Sequence, residues 1–371
     1  MRNLKILHSA DLHLDSPFEG LPGSKAAVRR AEQRELLNAM AELSQREHVD
    51  LVLLSGDLLD SSKAYYETGE ELVRALGSIP APVFIAPGNH DYYTPKSPYA
   101  RLKLPENVHI FSSSAISRVE LPELKVFVYG AAFTDSHSGP MLENFCAERQ
   151  EDYYNIMCIH GELGNPDSVY NPISEKELEN SGMDYVALGH IHKASGLKKA
   201  GSTYYSWPGC PEGRGFDETG EKTVSIVEFK DDDCTLSTFS IASRRYQIMN
   251  VDVTDSDPLI AINSKLPDDT VRDIYRIILK GHAEQSPNIK ELYENLSHMF
   301  FELQLRDETK MCRSIWEKSG EDSLRGIFLK KLHSLYKKAG SPQEREEIEQ
   351  AARWGLAALD NGEELVIHED K

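Results

Sequence analysis

VDLVLLSGDLLD, Val49–Asp60, runs four apolar residues together, breaks at Ser55 and Gly56, and then presents Asp57 and Asp60. A strand with one wet face alternates apolar and polar residues, whereas a strand covered on both faces reads as an unbroken apolar run. Leu51–Leu54 is of the second kind. We read the stretch as a buried strand ending at Gly56, with two carboxylates just beyond its carboxyl end. In open α/β sheets that end is where ligands bind.

The same grammar recurs in both directions along the chain. LKILHSA (4–10) reads as a strand ending near Ser9, followed by Asp11 and His13. Residues 26–47 place Leu36, Leu37, Met40 and Leu43 on one helical face. EELVRALGSI (70–79) reads as a helix, and APVFIAPGNHD (81–91) as a strand broken by Pro87 that leads into Asn89 and His90. Further strands are expected at Lys125–Tyr129, Tyr154–His160 and Tyr185–Leu188. Strand–helix alternation of this kind implies an α/β fold with layers on both sides of the sheet. Residues 203–241 turn all-β. Residues 247–282 read as strand–helix–strand, and from about Asn288 helical patterns dominate, with Ser341 and Pro342 opening the last helix. The expected division is a main domain over 1–245, a small α+β module over 246–286 and a mainly helical region over 287–371.

Composition narrows the classes. Of the 371 residues, 40% are hydrophobic and 27% charged, as in globular proteins. No stretch approaches the ~18 uncharged apolar residues of a membrane span, and the N-terminus carries no apolar leader core. The five cysteines are odd in number and scattered, without a CxxC pair, which suits reduced thiols in a cytoplasmic protein better than a disulfide frame. A net charge of −19 argues against a non-specific nucleic-acid binder. It says nothing about one local site, because bound divalent metals reverse the sign there.

The chemistry sits in the residues after each strand: Asp11 and His13, Asp57 and Asp60, Asn89, His90 and Asp91, His160 in IMCIHG, and His190 and His192 in ALGHIH. Each string alone is compatible with a turn, a cap or a satisfied histidine. Five in succession, each directly after an apolar run, describe one rim lined with ligands. In His190-Ile191-His192 the pleat of an extended segment sends both rings to one side. Imidazole, carboxylate and amide oxygen without thiolate suit borderline-to-hard divalent ions. Seven donors are too many for one tetrahedral ion and suit two ions sharing a carboxylate. Such pairs, roughly 3.5–4 Å apart, clamp a phosphate and activate water, so phosphoester hydrolysis is expected.

The ordered set DLH … GDLLD … GNHD … H … GHIH, over about residues 5–210, resembles the calcineurin-like metallophosphoesterase superfamily. The resemblance implies a layered β-sandwich flanked by helices. It implies that Asp11, His13 and His192 bind one metal, that Asn89, His160 and His190 bind a second, and that Asp57 bridges them. His90 would face the phosphate and protonate the leaving oxygen; Asp60 would orient a neighbouring histidine. SADLHLDSPFEGL, APGNHDYY and PGCPEGRGFDETGEK further resemble the bacterial DNA repair exonucleases of the SbcD type, in their YhaO-like branch. That likeness implies Mn²⁺ as the ion pair, DNA ends as substrate, a capping module, and C-terminal helices docking on an SMC-like ATPase of the SbcC type. It also implies a homodimer. The chain has no GxxxxGK[ST] loop, so an ATP-driven step would need another polypeptide.

Independently of any resemblance, Ser323–Gly340 has no acidic residue and spaces Leu324, Ile327, Phe328, Leu332, Leu335 and Tyr336 along a helix. It reads as a packed helix with a basic face, or as a contact for a partner helix or nucleic acid. Arg214 and Phe18 are candidate DNA contacts, and His137 reads as a surface residue. Two other readings stay open: a phosphodiesterase or phosphatase for small substrates, and a non-catalytic scaffold, against which the intact donor set counts.

Overall fold

The computed structural model describes residues 3–61, 63–230, 233–254, 256–283, 286–311 and 316–361. Cys312 lies outside them; Cys146, Cys158, Cys210 and Cys234 are free thiols. The chain forms two compact units, the first made of Met1–Ile248, Asp269–Arg276 and Met299–Leu303.

The first unit begins β1 (Leu4–Ser9), α1 (Gly23–Arg46), β2 (Leu51–Leu54), α2 (Tyr66–Ser78), β3 (Val83–Ile85), α3 (Pro98–Arg101) and β4 (Val108–Ile110). It continues with β5 (Ser117–Leu121), β6 (Val126–Gly130), β7 (Tyr154–His160), β8 (Glu162–Leu163), β9 (Pro172–Ile173), α4 (Glu175–Asn180) and β10 (Tyr185–Gly189). β11 (Lys198–Ala200), β12 (Thr203–Ser206), β13 (Val224–Lys230) and β14 (Asp233–Phe239) follow. Two six-stranded sheets result, in the orders β14-β13-β1-β2-β3-β4 and β11-β12-β10-β7-β6-β5. β1 to β4 run parallel, as do β6, β7, β10 and β12; the antiparallel pairs lie at the edges and between β1 and β13.

The burial pattern explains why the central strands have no polar alternation. Ile6, Leu51, Leu53 and Phe84 meet Val128, Ile156, Cys158 and Ala187 in a core between the two sheets. Their neighbours Leu7, Val52, Leu54 and Ile85 face the other way, against Leu37, Met40, Leu72 and Leu76 of α1 and α2. On the second sheet Met157, Ile159, Val186 and Leu188 pack with Leu178 of α4 and with Trp207. Each strand thus buries both its faces, giving a four-layer α–β–β–α sandwich. At ~25 cal/mol per Å² of apolar surface, this double burial is the main stabilising term.

The second unit comprises Met249–Asp268, Ile277–His298 and Gln304–Lys371. β15 (Tyr246–Asp252), β16 (Ile274–Lys280) and β18 (Glu302–Asp307) form a three-stranded sheet; the paired β17 (His282–Ala283) and β19 (Lys310–Met311) make another. α5 (Pro258–Lys265) starts on Asp257, whose carboxylate accepts from the N–H groups of Leu259 and Ile260. α6 (Ile289–Leu296) precedes α7 (Leu324–Tyr336) and α8 (Pro342–Asn361). Ser341 Oγ accepts from Glu344 N–H at the head of α8, as its sequence predicts. Leu329 and Ala352 lock α7 to α8, with Trp316, Phe328, Leu332 and Leu356 around them. Region 287–311 contains strands as well as a helix, where helical patterning predominates in the sequence. No described helix is long and apolar enough to cross a membrane.

Candidate metal centre

The loops after β1 and β2 run side by side. Asp11, His13 and Leu14 donate their N–H groups to the carbonyls of Gly56, Asp57 and Leu58 at 2.8–3.0 Å, and Asp60 N–H returns to Leu14. Asp11, His13, Asp57 and His190 all take positive φ, between 46° and 95°. Non-glycine residues rarely accept that conformation, and its cost is tolerated where side chains must be aimed. Two glycines make room. A Cβ on Gly56 would lie 2.5 Å from His160 Nδ1, and one on Gly189 would overlap the Ser55 carbonyl.

The seven residues expected as ligands come together. The donor atoms of Asp11, His13 and His192 lie within 4.8 Å of one another, as do those of Asp11, Asp57 and His160, and those of His13, Asp57 and His90. Asp57 Oδ2 sits 3.4 Å from His160 Nε2 and 3.8 Å from His13 Nε2, between the two subgroups. Asn89 Oδ1 is 3.1 Å from His160 Nε2 and 3.3 Å from His190 Nδ1. His190 and His192 therefore point to one rim but to different neighbours: His190 to Asn89, His192 to His13. Asp11 and Asp57 are buried, and His90 stands exposed at the edge. His90 N–H donates to Asp57 Oδ1 at 2.9 Å, and its ring Nδ1 lies 3.0 Å from the Asp60 carbonyl.

Outer partners fix the rings. Asp60 Oδ1 is 3.1 Å from His13 Nδ1, Glu218 Oε1 is 2.5 Å from His192 Nδ1, and the Ser55 carbonyl is 2.8 Å from His160 Nδ1. An imidazole that donates from Nδ1 to an acceptor offers the Nε2 lone pair inward. His13 and His192 do so face to face, with their Nε2 atoms 3.2 Å apart. At that distance the two nitrogens need a proton or a cation between them, and the imidazoles stand beside the carboxylates of Asp11 and Asp57, donors of the type that borderline-to-hard divalent ions take. The donor set thus fits divalent cations.

The electrostatics agree. Burial, with Asp57 nearby, pushes the Asp11 carboxyl up to about 6, against His160 and His192. Burial also opposes charge on Asp57, but His160, His13 and His90 outweigh it and hold that carboxyl below its usual range. Burial likewise disfavours His160 as a cation, yet Asp57 and Asp11 lift it to about 9. Desolvation takes His13 down to about 4, and desolvation with His160 takes His190 to about 4. Neighbouring groups pulled in opposite directions are what metal charge relaxes.

Sequence reasoning missed Glu218 and Ser55, and gave Asp91 a place on the rim but no role. Glu218, the partner of His192, stands among Asp217 and Glu221 with no spacing to single it out. Asp91 is fully buried and accepts from the N–H groups of Asp57, Leu58, Leu59 and Gly88 and from Tyr99 Oη, tying two ligand loops together. Ser55 acts through its backbone, which residue type cannot reveal. Two expected DNA contacts are corrected. Arg214 is engaged internally, 3.0 Å from Asp60 and 3.1 Å from Glu218, bridging the carboxylates that orient His13 and His192. Phe18 is buried with Leu21, Ala26, Tyr246 and Ile274. His137 is exposed and stacks on Tyr170, whose ring lies 5.0 Å from that of His190.

Comparison with known proteins agrees with this geometry. The calcineurin-like phosphoesterase family profile matches residues 4–194. The chain is 30% identical over 347 residues to the uncharacterized metallophosphoesterase YhaO of Bacillus subtilis, covering 85% of this chain and 81% of that one. It is 24% identical over 304 residues to the DNA double-strand break repair protein Mre11 of Saccharolobus solfataricus, covering 75% of each. It is also 23% identical over 267 residues to one chain of the SbcCD nuclease of Bacillus subtilis, covering 61% of this chain and 66% of that one. The chain belongs to the calcineurin-like phosphoesterase family, as a metal-dependent hydrolase of phosphoester bonds.

Proposed function

We propose that this chain is a dimetal phosphodiesterase that cleaves DNA, in double-strand-break repair, together with an SMC-like ATPase. The observation that carries the reading is Asp57 Oδ2 between the Nε2 atoms of His160 and His13, with Asp11 and His192 on one side and Asn89 and His190 on the other. In this assignment Asp11, His13 and His192 would hold one ion, Asn89, His160 and His190 the second, and Asp57 would serve both. Mn²⁺ is the proposed ion. Two such ions supply charge that polarises a phosphoryl group and makes water nucleophilic at neutral pH.

The residues do the rest. Asp60, Glu218 and the Ser55 carbonyl hold the Nδ1 atoms of His13, His192 and His160 and so orient these rings toward the centre. In this reading His90, exposed and with its Nδ1 beside the Asp60 carbonyl, would face the scissile phosphate and give a proton to the departing sugar oxygen. Two relatives, a DNA double-strand break repair protein and a nuclease, support DNA as the substrate. Support for a protein partner comes from α7, where Leu324 and Ile327 stay 71% and 62% exposed beside Lys330 and Lys331. A homodimer and a cytoplasmic setting belong to the same proposal.

The test compares wild-type and His90→Asn protein in Mn²⁺ on linear DNA, cyclic nucleotides and an aryl phosphodiester. DNA cleavage by the wild type, lost in the variant, is expected. Rapid turnover of small esters with DNA untouched would instead establish a small-substrate phosphodiesterase.

A further inference from the structure

The loops that carry Asp60 and His90 do not end at the metal centre. They continue as the two walls of a groove of about 990 Å³, one wall running from Lys63 into the start of α2, the other from Tyr92 through α3 to Lys103. Its lining has an unusual character for this chain. Tyr65 and Tyr66 stand 56% and 74% exposed at the mouth, and Tyr92 contributes a third ring. Two adjacent tyrosines this exposed contribute little to the core and leave ring surface open to a ligand.

Charge points the same way. The chain carries 60 acidic and 41 basic residues. Yet the groove is lined by five cations, Lys63, Arg74, Lys96, Arg101 and Lys103, against one acid, Glu70. Glu70 is taken by the Tyr66 hydroxyl at 2.5 Å, and Arg74 by Glu71. Among the described residues Lys63, Lys96, Arg101 and Lys103 have no ion-pair partner. An acidic protein that concentrates unpaired cations in one aromatic-lined groove has built a local polyanion site.

We propose that this groove binds a single strand of DNA and leads it to the metal centre. Cations along a channel follow the phosphates, and the tyrosine faces stack on unpaired bases. A duplex would present its phosphates but hide its bases, leaving Tyr65 and Tyr66 without a role. The groove therefore selects a frayed or single-stranded end, and its adjacency to His90 through Tyr92 places the bound strand at the site of hydrolysis. This inference rests on the DNA reading above and adds the strand form and its path.

The test uses full-length protein, Tyr65→Ala/Tyr66→Ala and Lys96→Ala/Arg101→Ala/Lys103→Ala variants, and fluorescent oligodeoxythymidylate bound in the presence of EDTA. The tyrosine variant should bind about tenfold or more weakly. The cation variant should bind more weakly too, with the slope of log affinity against log salt reduced by about 2. Both should keep wild-type kcat on an aryl phosphodiester in Mn²⁺, which also shows that they fold. Oligonucleotide binding within twofold of wild type in both variants, while the wild type cleaves DNA, overturns the groove alone. Wild-type protein that hydrolyses the aryl diester but neither binds nor cleaves DNA overturns the DNA reading, and the groove with it.

Discussion

Replacing Asp91 with asparagine should destabilise the first unit and loosen the metal centre together. Oδ1 of Asp91 accepts from Gly88 N–H at 2.7 Å and Asp57 N–H at 3.2 Å. Oδ2 accepts from Leu58 N–H at 2.7 Å, Leu59 N–H at 3.3 Å and the Tyr99 hydroxyl at 2.5 Å. Burial and the nearby Asp57 push this carboxyl's pKa up. Four of the five groups around it are backbone N–H donors that cannot accept, however, so the carboxylate satisfies the site best and we take it as ionised at neutral pH. An amide keeps one oxygen. If it stays on the Gly88 side, the new NH₂ meets the N–H groups of Leu58 and Leu59. A bond to a charged group is worth about 1.5–3 kcal/mol, and an orphaned buried donor costs about 1–3 kcal/mol more. The sum, about 2.5–6 kcal/mol, is a large fraction of a typical net stability of about 5–15 kcal/mol. The assay is urea unfolding of chelated protein, with the midpoint shift read at constant m. Mn²⁺ affinity should fall as well, because Asp57 and Asn89 lie on the two loops that Asp91 joins. A cost below about 1 kcal/mol with unchanged Mn²⁺ binding would refute the reasoning.

Three further outcomes are expected. Glu218→Gln removes the carboxylate at His192 Nδ1 and should weaken binding of one ion about 10–100-fold by calorimetry, while the other stays near wild type. His90→Asn should lower kcat by about 10²–10⁴ with metal content unchanged by mass spectrometry; lost metal would make it a ligand. Acidification should destabilise the metal-free protein. His8, His13 and His190 fold with pKa values of about 3, 4 and 4, so unfolding takes up protons as pH drops below 6.5, and this stability is lost toward pH 4. Asp11, lifted to about 6, and Asp91 act in the opposite sense. The net of about one to two protons gives ~1.4–2.7 kcal/mol per pH unit between 6.5 and 4. Urea midpoints that do not change across that window would contradict it.

The central strands were legible because burial on both faces writes itself as unbroken apolar runs, as in Leu51–Leu54 and Tyr185–Gly189. The donor residues were legible because they follow those runs directly. β4 and β5 were not. Val108–Ile110 is three residues long and only partly buried, and Ser117–Leu121 is an edge strand with two half-buried positions, so neither carries an apolar run. The supports of the site were hidden for a different reason. Glu218 reaches His192 from a loop 26 residues away, Asp91 acts by accepting backbone N–H groups, and Arg214 meets a carboxylate 154 residues before it in the chain. Such contacts depend on tertiary closeness, which no local spacing records. Arg214 shows the converse error: a cation in a glycine-rich loop beside a phosphoester site looks like a substrate contact until its partners are seen.

Anomalous diffraction from crystals grown with Mn²⁺ tests the central claim most directly. Two anomalous peaks are expected in the first unit: one by Asp11, His13 and His192, one by Asn89, His160 and His190, with an oxygen of Asp57 contacting both. A single peak, or a pair in which Asp57 touches neither ion, would contradict it.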